Sequence, residues 1–204
     1  MTPRPASLSS REPTRQEDEL SDNIERFPQL AGLGRSELAD LLEDAAKNWL
    51  AHDGCWFLAA EAELGMEAAI RLDAAAWGRF AQAEARRILD GFDLPRDGGL
   101  EALERALSLR MYALINEQHA EWSPDRSTLR FVMDVCRVQE TRRRKGLDDF
   151  PCASVGIVEF STFARTVDPR IRTRCLHCPP DAPEGKYCAW EFSVGDDDAE
   201  ELPR

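Results

Sequence analysis

Thr128-Leu-Arg-Phe-Val-Met-Asp-Val135 is the stretch that decides how this chain is built. Its apolar residues Leu129, Phe131, Met133 and Val135 fall at every second position, as on one face of an extended strand. Before it the apolar residues recur at three and four instead. From Ser36, Leu38, Leu41, Leu42, Ala45, Trp49 and Leu50 form a helical stripe, which continues to Leu64 with Gly65 as its stop. A second helix is predicted over Met66–Asp90, ended by Gly91, and a third from Leu100 to about His119. After the strand, Cys136–Lys145 reads as a short basic helix stopped by Gly146, and residues 153–166 as another. Ile171–Cys175 and Tyr187–Val194 alternate again, and a cysteine-bearing loop joins them as a hairpin-like pair. The predicted class is α+β: a helical N-terminal half packed with a small antiparallel sheet and helices in a Cys-rich C-terminal half.

These periods set the expected organisation. Residues 1–24 are rich in Pro, Ser, Arg and Glu without apolar periodicity, and are expected to be a disordered lead-in. Residues 25–194 make one α+β domain, divided into a helical half (25–122) and a Cys-rich half (123–194). Residues 195–204 form an acidic tail. No run approaches the roughly 20 apolar residues of a membrane span, and the polar N-terminus carries no secretory signal, so a reducing cytoplasm is the expected location.

The net charge of −12 opposes nucleic-acid binding, because phosphate would be repelled. The charge is uneven. Residues 36–121 hold 17 acidic and 8 basic side chains, whereas residues 125–145 hold 3 and 7. Such a basic segment can dock an anion or meet the acidic half of its own fold.

Five of the six cysteines lie in the last third: Cys136, Cys152, Cys175, Cys178 and Cys188. In a reducing compartment disulfides are the weaker reading. The spacing C-x2-C-x9-C supplies three thiols that can grip a soft ion, with Cys136, Cys152 or His177 as a fourth ligand to zinc or an iron–sulfur cluster. Strand alternation turns Cys175 and Cys188 to the apolar face. Cys136 and Cys152 sit at helix starts, where free N–H groups favour a thiolate. Inert core thiols are the alternative. A second constellation is Trp49-Leu-Ala-His52-Asp-Gly-Cys-Trp56-Phe57, with His52 one turn from two indoles as an acid or base; a hydrogen-bonded core histidine is the plainer reading. Common nucleotide-binding, P-loop, serine-hydrolase and zincin motifs are missing from the sequence.

Longer segments carry a resemblance: Trp49-Leu-Ala-His-Asp-Gly-x-Trp-Phe-Leu58, Gly65-Met-Glu-Ala-Ala-Ile70, Cys136-Arg-Val-Gln139, Phe150-Pro-Cys-x-Ser-Val-Gly-Ile-Val-Glu-Phe160, Thr173-Arg-Cys-Leu-x-Cys-Pro-Pro-Asp181 and Tyr187-Cys-Ala-Trp-Glu-Phe192. Over about residues 36–194 the chain resembles a group of prokaryotic cytosolic proteins distantly similar to L-2-amino-thiazoline-4-carboxylic acid hydrolases. Its ending is similar to the close of 4-vinyl reductase-type small-molecule-binding domains. The first resemblance implies opening of a cyclic C–N bond, with cysteines at positions matched by Cys136, Cys152 and Cys188. The second implies a ligand-binding or sensory module without catalysis.

The expectation is therefore a small-molecule site lined by Cys136, Cys152, Cys175, Cys178 and Cys188, which hold zinc or an iron–sulfur cluster. His52, His177 or Glu159 would move a proton. Arg137 and Arg174 would hold a ligand carboxylate, and Trp49 and Trp56 would wall the pocket. A metal-free variant uses one thiolate as nucleophile.

Overall fold

A computed structural model describes residues 27–195; the expected lead-in and all of the acidic tail after Gly195 lie outside them. The element order is α1 (Arg35–Leu64), α2 (Met66–Gly91), α3 (Gly99–Ser108), β1 (Glu117–Trp122), β2 (Thr128–Val135), α4 (Arg137–Arg144), α5 (Ala153–Val167), β3 (Ile171–His177) and β4 (Ala189–Val194). The class is α+β.

The chain divides into two compact units, Met1–Asp44 and Ala45–Arg204, with the boundary inside α1. In the first, a 3₁₀ turn at Pro28–Leu30 precedes the opening turns of α1, where Glu37 Oε2 accepts the Gly34 N–H at 2.8 Å. Leu41 and Leu42 of the expected stripe are exposed.

In the second unit the sheet is antiparallel, in the order β1-β2-β4-β3. Alternation along β2 buries Leu129, Phe131 and Met133, which join Trp190 and Phe192 of β4 on one face. Phe160, Phe163, Ala164 and Val167 of α5 pack with that face, as do Leu103, Ala106 and Leu107 of α3. Ala81, Ala85, Ile88 and Leu89 of α2 complete the layer. Each large apolar side chain buried here contributes about 1.5–3 kcal/mol. Gly156 permits the closest approach: a Cβ there would stand 2.5 Å from the Trp190 ring.

The third predicted helix is shorter than expected. α3 stops at Ser108, a 3₁₀ turn covers Met111–Leu114, and residues 117–122 are a strand. Its inward positions are Gln118, Ala120 and Trp122, too polar or small to stand out as an apolar alternation. The strand is fixed by its partner and by the Ser123–Thr128 turn, where Asp125 accepts from Ser123 Oγ and from Ser127. His119 thus lies on a strand, with Nδ1 2.5 Å from Asp134, and not near a helix end.

Two buried ionic groups tie distant segments together. Arg142 of α4 makes paired contacts with Glu61 of α1, at 2.7 and 3.0 Å, and donates to the Asp148 carbonyl. The basic segment does meet the acidic half of its own fold. Arg110, 3 % exposed, stands 2.8 Å from both Glu84 and Glu159, under the rings of Phe160 and Phe163.

Candidate functional site

A cavity of about 420 Å³ opens inside the second unit, within the size range of small-molecule sites. α1 contributes Asp53 and Phe57 to its wall, α2 contributes Asp73 and Trp77, and α5 contributes Gly156, Glu159 and Phe160. Tyr112, Cys136, Gln139, Phe150, Cys152, Cys188 and Trp190 complete the lining that bears on its chemistry. Gln139, 1 % exposed, clamps the segment before α5. Its amide donates to the Phe150 carbonyl at 2.7 Å and accepts the Phe150 N–H at 2.9 Å.

Helical phase explains which residues of the Trp49–Phe57 segment face inward. Positions 49, 53 and 57 lie one turn apart on one stripe. Trp49 joins Trp77, Phe80 and Tyr112 in an aromatic cluster, while Asp53 and Phe57 line the cavity. His52 and Trp56 fall on the adjoining stripe and are exposed, with Trp56 at 68 %. The expected sandwich of His52 between two indoles does not form; Asp53 is the ionisable group aimed inward. His177 is also apart from the cavity lining, its Nδ1 2.8 Å from the Tyr187 carbonyl. Arg174 is exposed and pairs with Glu191 at 2.6 Å. Arg137 reaches the cavity edge, and its N–H bonds to Asn116.

The thiols do come together. Cys175 Sγ lies 3.4 Å from Cys178 Sγ, and Cys178 interacts electrostatically with the thiols of Cys152 and Cys188. Cys136 is near enough to interact electrostatically with Cys152 and Cys188. All six cysteines are free, and Cys55 stands apart, exposed on α1. Among the described residues no group of three or more His, Cys, Asp or Glu is placed so that it could hold a metal ion.

The two helix-start cysteines differ in acidity. Burial pushes Cys136 up to about 12 and outweighs the backbone N–H groups of Val138 and Gln139, so the expected thiolate does not form there. Cys152 is held below the usual thiol range, chiefly by a hydrogen bond from Cys178 and then by its own backbone. Cys178 is raised by donating to Cys152 and Cys188.

The three carboxyl groups of the wall are all raised. Asp73 is pushed up to about 7 by burial, then by Asp53 and Glu159, against the indole N–H of Trp77. Asp53 is raised by burial, relieved only by His52. Glu159 is raised by burial despite Arg110. Its Oε1 pairs with Arg110 Nη2 at 2.8 Å. Asp53 and Arg110 went unrecognised as site residues in the sequence. The i, i+4 relation of Asp53 to Trp49 and Phe57 was the signal available for the first of them.

Residues 31–194 match the model of a family of unknown function, DUF6125. The chain belongs to DUF6125. A DUF6125 chain thus carries this cavity and thiol cluster within the matched residues. No curated protein matches the chain. Among solved structures it is similar to a trafficking protein particle complex subunit 3 from Naegleria fowleri covalently bound to palmitic acid. The identity is 9 %, the TM-score 0.44, and the match covers 78 % of this chain and 95 % of that one. Among the described residues no helix is long and apolar enough to cross a membrane.

Proposed function

We propose that this protein binds a small molecule in the cavity, and that a soft metal ion held by Cys152, Cys175, Cys178 and Cys188 secures one wall of it. The observation that carries the reading is shared membership: Cys152 and Cys188 line the cavity and also lie near enough to Cys178 to act on it. The thiols come from four places: β3, the loop after it, the residue before α5, and the residue before β4. A single ion would staple all four.

The spacing favours one ion over a cluster. A tetrahedral zinc site with Zn–S bonds of about 2.3 Å spaces its sulfurs by roughly 3.8 Å. The Cys175–Cys178 pair at 3.4 Å needs to spread only slightly to reach it. An iron–sulfur cluster places several iron and sulfide atoms between its thiolates, and the 3.4 Å gap between Cys175 and Cys178 leaves no room for them. Four thiolates also close the coordination shell, which makes the metal's role structural. Proton transfer at the ligand then falls to Asp73 and Glu159, both of which hold a proton more readily than an ordinary carboxylate.

The test is anaerobic reconstitution with Zn2+ or Co2+, read as metal per chain together with acid-labile sulfide. One ion per chain without sulfide, lost in Cys178→Ser and retained in Cys55→Ser, supports the site. No uptake, or iron with stoichiometric sulfide, overturns it. Loaded protein offered cyclic thiazoline or amidine probes then separates two roles. Ring opening, with water adding to the C=N carbon and the ring C–N bond breaking, would be hydrolase chemistry. Binding without turnover would be a sensory or carrier role.

A further inference from the structure

The polar groups around the cavity are sorted by depth. Its basic lining residues are Lys47, Arg137, Arg142, Arg144 and Lys145. Lys47 and Arg142 are engaged within the protein, Arg142 with Glu61 and the Asp148 carbonyl. Arg137, Arg144 and Lys145 are exposed, and among the described residues none of them has a carboxylate partner; Arg144 donates to the Thr141 hydroxyl. All three belong to α4 and its C-terminal cap. Positions 137, 141, 144 and 145 follow the three- and four-residue spacing of one helical stripe, and all of them line the cavity. Arg143, on another side of the helix, is paired with Asp149. One stripe of α4 thus presents uncompensated positive charge at the cavity mouth.

Deeper in, the unmatched group is a donor. Trp190 belongs to the lining and is 1 % exposed, and its indole N–H has no acceptor within the protein. The edge of the indole beside that nitrogen abuts Gly156, another lining residue. A Cβ at Gly156 would stand 2.5 Å from Cζ2 and 3.5 Å from Cε2, the carbon bonded to Nε1. Glycine at this place therefore keeps a side chain off the indole. A buried donor without an acceptor is costly, and a ligand oxygen or ring nitrogen removes that cost.

The wall carboxyls oppose such a ligand less than their number suggests. Burial pushes Asp53, Asp73 and Glu159 toward their protonated forms, and Glu159 is paired with Arg110. A protonated carboxyl is itself a donor to an acceptor on the ligand. Phe57, Trp77, Phe150 and Phe160 supply apolar surface for its body.

We infer that the cavity takes a small organic anion on an apolar body, its charge facing Arg137, Arg144 and Lys145 and an acceptor atom inside meeting the Trp190 N–H. This rests on the reading of the cavity as a ligand site, and does not depend on the metal.

Four probes separate the parts. The first, para-acetylbenzoate, has both the charge and the acceptor. The second, para-isopropylbenzoate, keeps shape and charge without the acceptor, and para-acetylbenzamide keeps the acceptor without the charge. Acetate lacks the apolar body. Each is titrated by calorimetry at one pH into the full chain as purified. Acetylbenzoate is expected to bind about five-fold or more tightly than the isopropyl analogue, which leaves the buried N–H unmatched. It is expected to bind about three-fold or more tightly than the amide, an advantage that shrinks in added salt. Arg137→Gln combined with Lys145→Gln, both at exposed positions, should remove the preference over the amide and keep that over the isopropyl analogue. Parity with either analogue, or preference for it, overturns the anion inference and leaves the ligand cavity standing. Acetate binding as tightly as acetylbenzoate, or failure of all four to bind, overturns both. The comparison among probes uses the unaltered chain, so it holds even if a variant fails to fold.

Discussion

Replacing Asp73 by Asn should make the folded protein more stable at alkaline pH and leave it nearly unchanged at pH 4. Folding raises this carboxyl from 3.8 to about 7, through burial and the charges of Asp53 and Glu159. A raised acid favours the fold while protonated. That stability is fully present below pH 4 and is lost as pH climbs through 7. The shift of about three units, at 1.36 kcal/mol each, corresponds to roughly 4 kcal/mol. Asparagine keeps the shape and can still accept the Trp77 N–H, but cannot ionise. It also relieves Asp53 and Glu159 of a like charge. Thermal or urea unfolding from pH 4 to pH 8 reads the effect. Wild type should fall steeply relative to the variant, which should melt roughly 10 °C higher at pH 8 for a chain of this size. Parallel curves over the whole range would show that Asp73 is solvated and paired, and would refute the reasoning.

Three further outcomes follow from the same geometry. Gly156→Ala places a methyl group 2.5 Å from the Trp190 ring; it should cost about 1–3 kcal/mol and shift the tryptophan emission. Arg110→Leu strands Glu84 and Glu159 in the interior and should cost about 3–5 kcal/mol at neutral pH, with partial recovery in acid as the carboxylates protonate. In metal-free protein, iodoacetamide followed by mass mapping should modify exposed Cys55 well before Cys136 and buried Cys178, whose thiols are both held protonated.

Period was the most legible property of the sequence. Thr128–Val135, the helix from Ser36 to Leu64 and the β3–β4 pair follow from spacing alone, since each puts apolar residues on one face. Convergence of the thiols was partly legible: alternation turned Cys175 and Cys188 inward, and helix starts placed Cys136 and Cys152. What spacing could not supply was distance in space. Arg110 resembles any arginine after an amphipathic helix until Glu84 and Glu159 close on it. Asp53 and His52 are neighbours in sequence, and a rotation of 100° decides which of them faces the cavity. Residues 117–122 were unreadable because their inward side chains are held by a partner strand more than by their own hydrophobicity.

The strand order has a consequence for how this protein is made. β4 is the last element among the described residues, yet it lies between β2 and β3 in the middle of the sheet. Until residues 189–194 leave the ribosome, both neighbours present bare edges, and the chamber lacks Trp190. The nascent chain can form its helices early, but neither the pocket nor the thiol group is complete before residues 188–194 have been made. A chain stalled before Ala189 exposes two sticky strand edges that only β4 covers.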